Sequence, residues 1–305
     1  MKKGSGGSVL NRKYEVFWPV FFLAPFFICF IGLSIFPVFY SFFISLTDWT
    51  GINEKIFIGL ENYIKIIATD QNFRISIRNT FYIILVANSL TLILGLLLAN
   101  FLFGLVRGRV VFQTLNFLPY VTTPVALGLL FRLLFDLRYG TVNRVLISLG
   151  VLKEGIFWLG TPRTAPLVII FLIIWKYTGY YMAIFLAGLS SVPEELYEAA
   201  VMDGAGKPAV FFRITIPMIR PILTFACVTS LIGGLQIFDE PSMIFSNFGG
   251  PDRSVLTIVW NFYDIAFRNH FRMGYGSAIA FLLFLIIVVV SAASSRFIGG
   301  TEDKV

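Results

Sequence analysis

The sequence predicts an all-α polytopic membrane protein with six transmembrane helices. Its 305 residues are 57% hydrophobic and only 13% charged, whereas soluble globular proteins average about 25% charged residues. The mean hydropathy is +0.82, and the apolar residues fall into six stretches, each near the roughly 20 residues that a helix needs to cross a bilayer core. The predicted spans cover residues 17–46, 80–103, 110–135, 165–189, 221–238 and 275–297.

The first span, at residues 17–46, follows a polar and basic segment at residues 1–15. It is too long for the apolar core of a signal peptide and has no obvious cleavage site, so we expect an uncleaved anchor helix. Prolines inside an apolar helix remove a backbone hydrogen bond and kink the helix. We therefore expect kinks, or a shorter true helix, at Pro19, Pro25 and Pro37.

Basic residues near the ends of the spans indicate the orientation of the chain. Lysines and arginines summed over the two sides are nearly equal in number and decide nothing, but the positive-inside rule gives most weight to short flanks. Basic residues outnumber acidic ones at residues 1–15, and the short turn at 104–110 carries Arg107 and Arg109 without an acidic residue. Both segments share a predicted face with residues 191–217, so this face and both termini are expected to be cytoplasmic.

Three longer segments lie on the opposite face, and the first two are too short for an independent domain. Residues 47–79 contain the amphipathic run LENYIKII, and residues 136–164 are expected to form a short helix and a loop. In residues 239–274, apolar side chains recur at helical spacing from Val255 to Ala266, which predicts a helix packed on the spans. The polar face of that helix, which can instead line a vestibule, carries Thr257, Asn261 and Asp264.

The polar interruption between the fourth and fifth spans, residues 191–217, is organised as a helix, a glycine turn and a second short helix. Pro193 suits a first helical turn, and Ser190 or Ser191 can cap it. The two glutamates after the proline lie where the helix dipole favours negative charge. A segment this polar cannot lie in hydrocarbon, so it must face water, the membrane surface or a partner.

Glycines and prolines divide this stretch. Gly204 and Gly206 are expected to end the first helix, and Pro208 can begin the second. The second helix must stop or kink near Pro217, because proline cannot continue the backbone hydrogen-bond pattern.

Six positions of the stretch resemble a known family, namely Glu198, Ala199, Ala200, Gly204, Ile214 and Pro217. Their types and spacings match the EAA signature of binding-protein-dependent ABC importer permeases. The one departure is Ile216, where the pattern prefers leucine, and this is a conservative apolar change. GLENY before the second span resembles the sugar branch of that family, and GGLQIFDEPSMIF followed by GGP resembles its oligosaccharide members. An ordinary amphipathic loop helix is the alternative interpretation of the stretch.

The resemblance implies the type I ABC importer permease fold, in which this loop forms a coupling helix that docks into a groove of a cytoplasmic ATPase. Small residues let a helix lie deep in a groove, and carboxylates suit basic residues of a partner. The expected ATPase-coupling residues are Glu194, Glu195, Glu198, Ala199, Ala200, Asp203, Gly204 and Gly206.

The family also implies a division of the chain and a set of partners. Residues 1–15 and 298–305 are expected as cytoplasmic tails, 16–74 as the first helix with its external loop, and 75–297 as the transmembrane domain, with its coupling loop at 190–217. The expected partners are a second homologous permease in a heterodimer, two ATP-binding subunits, an extracytoplasmic solute-binding protein, a sugar and membrane lipid. The expected location is a bacterial-type plasma (inner) membrane.

The chain itself is expected to be non-catalytic, with no cofactor and no metal, because in this family ATP and magnesium are bound by the partner subunits. GAGKP at 204–208 resembles a phosphate-binding loop, but that loop needs glycine where Val201 stands and serine or threonine where Pro208 stands. Both cysteines lie in apolar spans and His270 is the only histidine, so no disulfide framework or metal-ligand spacing is present. The net charge is +7, but no basic stripe with interleaved aromatic residues is present outside the spans. Nucleic acid is therefore not an expected partner.

Polar groups inside the spans are the best candidates for a substrate path, because such groups are costly in hydrocarbon and usually face a cavity. Aromatic faces, amides and carboxylates are the groups that bind sugars. The candidates are Tyr177, Tyr181, Gly233, Gln236, Asp239 and Ser277. The two adjacent glycines before Gln236 predict a local helix break, which is tolerated where backbone lines a cavity. The alternative is helix packing, with small residues at close contacts.

Two other classes of membrane protein fit the sequence less well. An ion-coupled secondary sugar carrier would call for inverted repeats and for carboxylates near the middle of a span, and the sequence shows neither. A membrane anchor or assembly factor would not need the EAA loop. The sequence therefore favours the permease subunit of an ATP-driven sugar importer, without identifying the sugar.

Overall fold

The computed structural model describes the backbone of residues 8–104 and 108–299, and the side chains of residues 18–104 and 108–297. Within this part, the one strand pairing is a short antiparallel hairpin of β1 (Thr47–Asp48) and β2 (Ile56–Phe57). The helices are α1 (Ser8–Phe30), α2 (Phe36–Ser45), α3 (Glu61–Ala68), α4 (Gln71–Phe103), α5 (Arg109–Val121), α6 (Pro124–Leu134), α7 (Thr141–Ser148), α8 (Ala165–Leu189), α9 (Glu194–Met202), α10 (Lys207–Val210), α11 (Ile216–Met218), α12 (Arg220–Leu235), α13 (Asp239–Ile244), α14 (Ile258–Tyr263) and α15 (Met273–Gly299). Turns of π-helix lie at Ile31–Ile35, Phe211–Thr215 and Asp264–Arg268, and a 3₁₀ turn lies at Pro251–Arg253.

Parts of the predicted flanks fall outside the described residues, namely residues 1–7, Arg107 and the tail at 300–305. α1 begins at Ser8, inside the segment that the sequence predicts as a tail.

The described helices can supply up to six membrane crossings. Four single helical stretches are long and apolar enough to span a bilayer, namely Trp18–Ser45, Gln71–Phe103, Ala165–Leu189 and Met273–Phe297. Two bent pairs supply the rest. α5 and α6 meet at 97°, and the segment Lys207–Met218 meets α12 at 70°. If each bent pair is one crossing, the count is the six that the sequence predicts.

The single helix predicted at residues 110–135 is wrong. Two extended residues, Thr122 and Thr123, with ψ angles of 137° and 143°, separate α5 from α6. The residue before a proline avoids the helical conformation, and Pro124 is the first residue of α6. The Oγ1 of Thr123 accepts a hydrogen bond from the amide of Ala126 at 3.4 Å and so caps the new helix.

The first span departs from regular α-helix at one place. Pro19 and Pro25 lie within α1 without ending it, whereas the π turn Ile31–Ile35 comes just before Pro37 near the start of α2. No residue of its most apolar stretch is buried inside the chain. This helix therefore contributes little to the core and presents its apolar surface outward.

α8 is the centre of the bundle. Over half of its most apolar stretch, 56%, is buried, compared with 28% for α4 and 22% for α15. A Cβ on Gly179 would lie 1.8 Å from the carbonyl oxygen of Asn116 on α5, so only glycine allows this approach. Buried side chains such as Ile169 and Phe185 hold the two halves of α8 against its neighbours.

The segments on the predicted external face are partly helical, as expected. LENYIKII forms α3, in which Ile66 is fully buried. α7 and a following loop occupy residues 136–164, and the stripe at 255–266 forms α14 and the π turn after it. The vestibule interpretation of its polar face is wrong, because the three polar residues of that face are buried in the protein. Two of them bond locally, since Thr257 Oγ1 accepts from the amide of Trp260 and Asp264 Oδ1 accepts from the side chain of Asn269.

Candidate functional site

A cavity of about 370 Å³ lies between α4, α8 and the junction of α12 with α13. Its size falls in the range of small-molecule sites, roughly 300–1,000 Å³. Its lining residues are Ile84, Asn88, Ile173, Tyr177, Tyr181, Ser230, Gly233, Gly234, Gln236, Ile237, Phe238, Asp239 and Glu240. Five of the six substrate-path residues that the sequence predicts therefore come together in one place.

Ser277 is the predicted path residue that does not reach this cavity. It is half-buried on α15, and α15 packs mainly against α12 and α2. The cavity instead lies where α12 faces α4 and α8. The polar character of Ser277 gave no information about which side of the bundle it faces.

Two tyrosines of α8 form one wall of the cavity. Tyr177 and Tyr181 are four residues apart and so share a helix face. The ring of Tyr177 packs against Tyr120 of α5, with 5.8 Å between the ring centroids, and the ring of Tyr181 packs edge-on against Tyr180 at 5.1 Å. These contacts hold both rings in place, and a fixed aromatic face with a polar tip suits a ring-shaped polar ligand.

The junction between α12 and α13, where the helix is interrupted, forms another wall of the cavity. α12 ends at Leu235, before the end that the sequence predicts at residue 238, and α13 begins at Asp239. The amides of Gln236 and Ile237 donate to the carbonyl oxygens of the preceding glycine pair, at 3.2 and 3.0 Å, which tightens the last turn. The break predicted beside the two glycines is confirmed, and it brings Gln236 and Asp239 to the cavity.

The two adjacent glycines have different surroundings. A Cβ on Gly234 would lie 2.8 Å from Asn88 Nδ2 and 3.0 Å from Ile84 Cγ2 on α4. The same Asn88 amide donates to the carbonyl oxygen of Ser230 at 2.7 Å and ties α4 to α12. A Cβ on Gly233 would meet no atom within 4 Å. Gly234 thus permits close helix packing, whereas Gly233 borders open space.

A buried ion pair adjoins the cavity and was not predicted from the sequence. Lys176 Nζ lies 2.8 Å from Glu240 Oε1, and the hydroxyl of Tyr177 donates to the same oxygen at 2.9 Å. Lys176 and Glu240 are each 6% exposed. The pair joins α8 to α13, and removal of either partner would leave an uncompensated buried charge. A lysine inside an apolar span signals a nearby acidic partner, so a search for that partner would have found Glu240 beside Asp239.

The stretch at residues 190–217 is a helix, a glycine turn and a second helix, as the sequence predicts. α9 ends in a Schellman motif, in which the amide of Ala205 donates to Ala200 O at 2.9 Å and the amide of Gly204 donates to Val201 O at 3.0 Å. Gly204 has a φ of +77°, a conformation that favours glycine. The end of the first helix at Gly204 is therefore confirmed.

Further along, α11 ends one residue after Pro217, so the predicted stop is also confirmed. Two details differ from the prediction. Gly206 has a φ of −72° and precedes α10, so it begins the second helix and does not end the first. Ser190 and Ser191 do not cap α9, because their hydroxyls donate to carbonyl oxygens in the last turn of α8, at 2.9 and 2.7 Å, and Pro193 occupies the N-cap position.

α9 presents carboxylates and small residues to the outside of the chain. Seven of the eight predicted coupling residues are exposed, and the eighth, Ala200, is buried against the body. Val201 and Met202 add apolar side chains that are 67% and 87% exposed. Tyr197 tethers the helix, since its ring centroid lies 6.2 Å from that of Phe103 at the end of α4. Exposed apolar side chains beside carboxylates, on a helix held to the body, form a surface suited to docking.

Acidic, histidine and cysteine side chains, the usual ligands of metal ions, are scattered through the described part of the chain. Among the residues that the structure describes, no three of them lie close enough together to hold an ion.

Comparison with known proteins identifies the family. Residues 91–298 match the family described as binding-protein-dependent transport system inner membrane component. The chain is 34% identical over 286 residues to the lactose transport system permease protein LacF of Rhizobium radiobacter, covering 93% of this chain and 94% of the relative. It is 32% identical over 291 residues to the arabinooligosaccharides transport system permease protein AraP of Bacillus subtilis (strain 168), covering 94% and 90%.

A solved structure shows the same fold. A chain of a bacterial ABC transporter involved in the import of the acidic polysaccharide alginate matches with a TM-score of 0.82 and 21% identity, over 96% of this chain and 99% of that one. The all-α, multi-pass architecture and the importer permease fold are therefore confirmed, and a secondary carrier is excluded. The chain belongs to the family of inner membrane components of binding-protein-dependent transport systems, the permease subunits of ABC importers.

Proposed function

We propose that this chain forms the translocation path of an ATP-driven importer of sugars, and of oligosaccharides in particular. The observation that carries the proposal is the cavity, in which the tyrosine wall of α8 faces an amide and two carboxylates at the helix break. Aromatic faces can stack on sugar rings, while amide and carboxylate groups bond to hydroxyls. The relatives named for lactose and for arabinooligosaccharides support the same substrate class.

α9 is the proposed contact with the ATPases. Its exposed carboxylates are available to basic side chains of a partner, and its exposed apolar tip can enter a groove. The ATPases, two copies per complex, bind ATP and magnesium and carry out hydrolysis, so this chain holds no cofactor and is not itself an enzyme. The face that carries α9 is cytoplasmic in this proposal, and both termini lie on that face.

Transport follows alternating access in a heterodimer with a second homologous permease. ATP binding closes the ATPase pair and draws the two coupling helices together. The permeases then open outward and accept sugar from the extracytoplasmic binding protein, and hydrolysis returns them to the inward state. The order of the elements supports this scheme, because the α10–α11 segment connects α9 directly to α12, which it meets at 70° and which lines the cavity.

The test is ATP hydrolysis by the purified complex of this chain, its partner permease and the ATPases, with the binding protein added empty or loaded from a panel of lactose, maltose and arabino-oligosaccharides. Stimulation by one loaded form, and not by the empty protein, is the expected result and names the substrate. The proposal fails if the ATPases do not co-purify with this chain, or if hydrolysis is indifferent to the binding protein.

A variant with Glu198→Lys tests the proposed role of α9 in coupling. This substitution reverses an exposed charge on α9 without touching the cavity. We expect an inserted protein with loaded-binding-protein stimulation reduced at least severalfold. A variant with Arg144→Glu in α7, which changes an exposed charge far along the chain from α9, is expected to retain stimulation.

A further inference from the structure

The cavity has an unbalanced charge. Among the described residues that line it, two are carboxylates, Asp239 and Glu240, and none is a lysine or an arginine. Asp239 is exposed, and none of the described side chains forms an ion pair with it. A ligand in the cavity therefore meets negative charge without an accessible cation.

Lys176, which lies beside the cavity, is buried and paired inside the protein. It is 6% exposed, its Nζ lies 2.8 Å from Glu240 Oε1, and it also lies 4.9 Å from the centroid of the Tyr177 ring. The lysine is absent from the cavity lining. The ion pair therefore cancels the charge of Glu240 without offering a positive group to a ligand, and the net charge of the cavity is that of Asp239.

The geometry of Glu240 points to a ligand rich in hydroxyl groups. Both bonds to this carboxylate, from Lys176 and from Tyr177, are made to Oε1. In the described part of the chain no group donates to Oε2, although the residue is 94% buried and lines the cavity. A carboxylate oxygen held in place and left without a donor is a strong acceptor for a hydroxyl.

We propose that this cavity selects uncharged oligosaccharides against acidic ones, with Asp239 supplying the net negative charge that repels uronate groups. The inference rests on the proposed sugar-import function and narrows its substrate class. A second carboxylate brought close to Asp239, where no accessible cation compensates the charge, is disfavoured, whereas neutral sugars donate hydroxyl hydrogens to the acceptors already there.

The charge of the cavity can be measured without transport. Gly233→Cys places a thiol where a Cβ meets no atom within 4 Å, in a chain whose Cys29 and Cys227 are replaced by alanine and which is assembled in its full complex. The thiol is reacted with a trimethylammonium-ethyl and with a sulfonatoethyl methanethiosulfonate. We expect the ratio of cationic to anionic reaction rates to exceed the ratio for a small free thiol by roughly tenfold, the size of effect that one nearby charge has on a charged group.

Two further variants assign the charge. Asp239→Asn is expected to return the ratio to the free-thiol value, whereas the double variant Lys176→Met with Glu240→Gln is expected to keep most of it, since that pair carries no net charge. A ratio equal to that of the free thiol, a ratio unchanged by Asp239→Asn, or no reaction with either reagent would each overturn the inference.

Uptake separates this inference from the proposed function. Proteoliposomes of the complex are given maltotriose or trigalacturonate with the binding protein and ATP. Equal ATP-driven uptake of the acidic sugar would overturn the charge selection while leaving the importer function intact. If neither sugar is taken up and no other sugar stimulates hydrolysis, the importer function fails, and the reagent ratio still decides whether the cavity is negative.

Discussion

At the scale of single residues, the cavity depends on small differences between neighbouring positions. Gly233 and Gly234 are adjacent and of the same type, but only the second is pressed against α4. Lys176 and Tyr177 are likewise adjacent on α8, and both bond to the same oxygen of Glu240. Each of these positions therefore has a specific and testable role.

The glycine pair gives the first prediction. Gly234→Ala is expected to destabilise the chain by about 1–3 kcal/mol, because the new methyl group overpacks against Asn88 and Ile84. Gly233→Ala is the matched control and is expected to be neutral or slightly stabilising, by up to about 1 kcal/mol, because alanine suits a helix better than glycine does. Thermal unfolding of both variants in the same detergent checks this, and an equal loss in the two would contradict it.

The ion pair gives the second prediction. Lys176→Met alone is expected to lower the free energy of unfolding by about 3–5 kcal/mol, since Glu240 is left buried without its counter-charge. The double variant with Glu240→Gln is expected to regain most of that loss, because no charge then stays buried. Denaturant titration of the two single variants and the double variant measures the coupling. Single-variant losses that simply add would show that the pair makes no net interaction.

Sequence patterns located part of this site and not the rest. Tyr177, Tyr181 and Gln236 were identifiable because polar side chains inside apolar spans tend to face a cavity. Glu240 was not, because its burial depends on the direction that α13 takes after the helix break, and periodicity does not carry that direction. Asn261 was correctly assigned to the polar face of its helix, but it is buried in the protein. Helical periodicity shows which residues share a face and does not show whether that face is exposed or covered by other elements.

At the scale of elements, the breaks between helices determine where the functional groups lie. The end of α12 brings polar groups to the cavity, and the Schellman turn after α9 sets the exit of the coupling segment. The bend after α5 could have been inferred from Thr122, Thr123 and Pro124, because the residue before a proline avoids the helix. Composition concealed it, since α5 and α6 together are apolar enough for one span.

The glycine turn gives the third prediction. Gly204→Ala is expected to cost about 1–2 kcal/mol locally, because a φ of +77° is strained for any residue with a Cβ. No atom lies within 4 Å of that Cβ, so the cost falls on the backbone and displaces the segment after α9. Under the proposed function, we expect stimulation of ATP hydrolysis by loaded binding protein to fall.

Gly206→Ala is the control for that experiment, since a φ of −72° is ordinary for alanine. In the complex with this variant, we expect stimulation of ATP hydrolysis by loaded binding protein to fall less than with Gly204→Ala, because alanine at this φ adds a methyl group to the coupling segment without straining the backbone. If both glycine variants behaved alike, the special role of the Schellman turn would be refuted.

At the scale of the whole molecule, the bundle has a buried centre and a lipid-facing periphery. α8 is enclosed by its neighbours, whereas the apolar stretch of the first span buries none of its residues inside the chain. Local sequence signals were enough to predict the spans and the family. Hydropathy along the chain located the apolar helices, and the spacing of the EAA motif indicated the family. The side of the membrane on which each loop lies is still a prediction from the short basic flanks.

That orientation gives the fourth prediction. In a chain without its two native cysteines, Glu195→Cys on α9 and Asn53→Cys between β1 and β2 both place a thiol at an exposed position. A membrane-impermeant maleimide added to intact cells is expected to label the Asn53→Cys variant and not the Glu195→Cys variant. The Glu195→Cys variant is expected to be labelled once the membrane is permeabilised. Labelling in the opposite order would reverse the proposed topology.

The most direct test of the central claim is sugar uptake by proteoliposomes that contain the full complex and a loaded binding protein. Uptake driven by ATP, unaffected by collapse of proton and sodium gradients and abolished without the binding protein, is the result that this account predicts. Uptake that follows an ion gradient and continues without ATP or binding protein would contradict it.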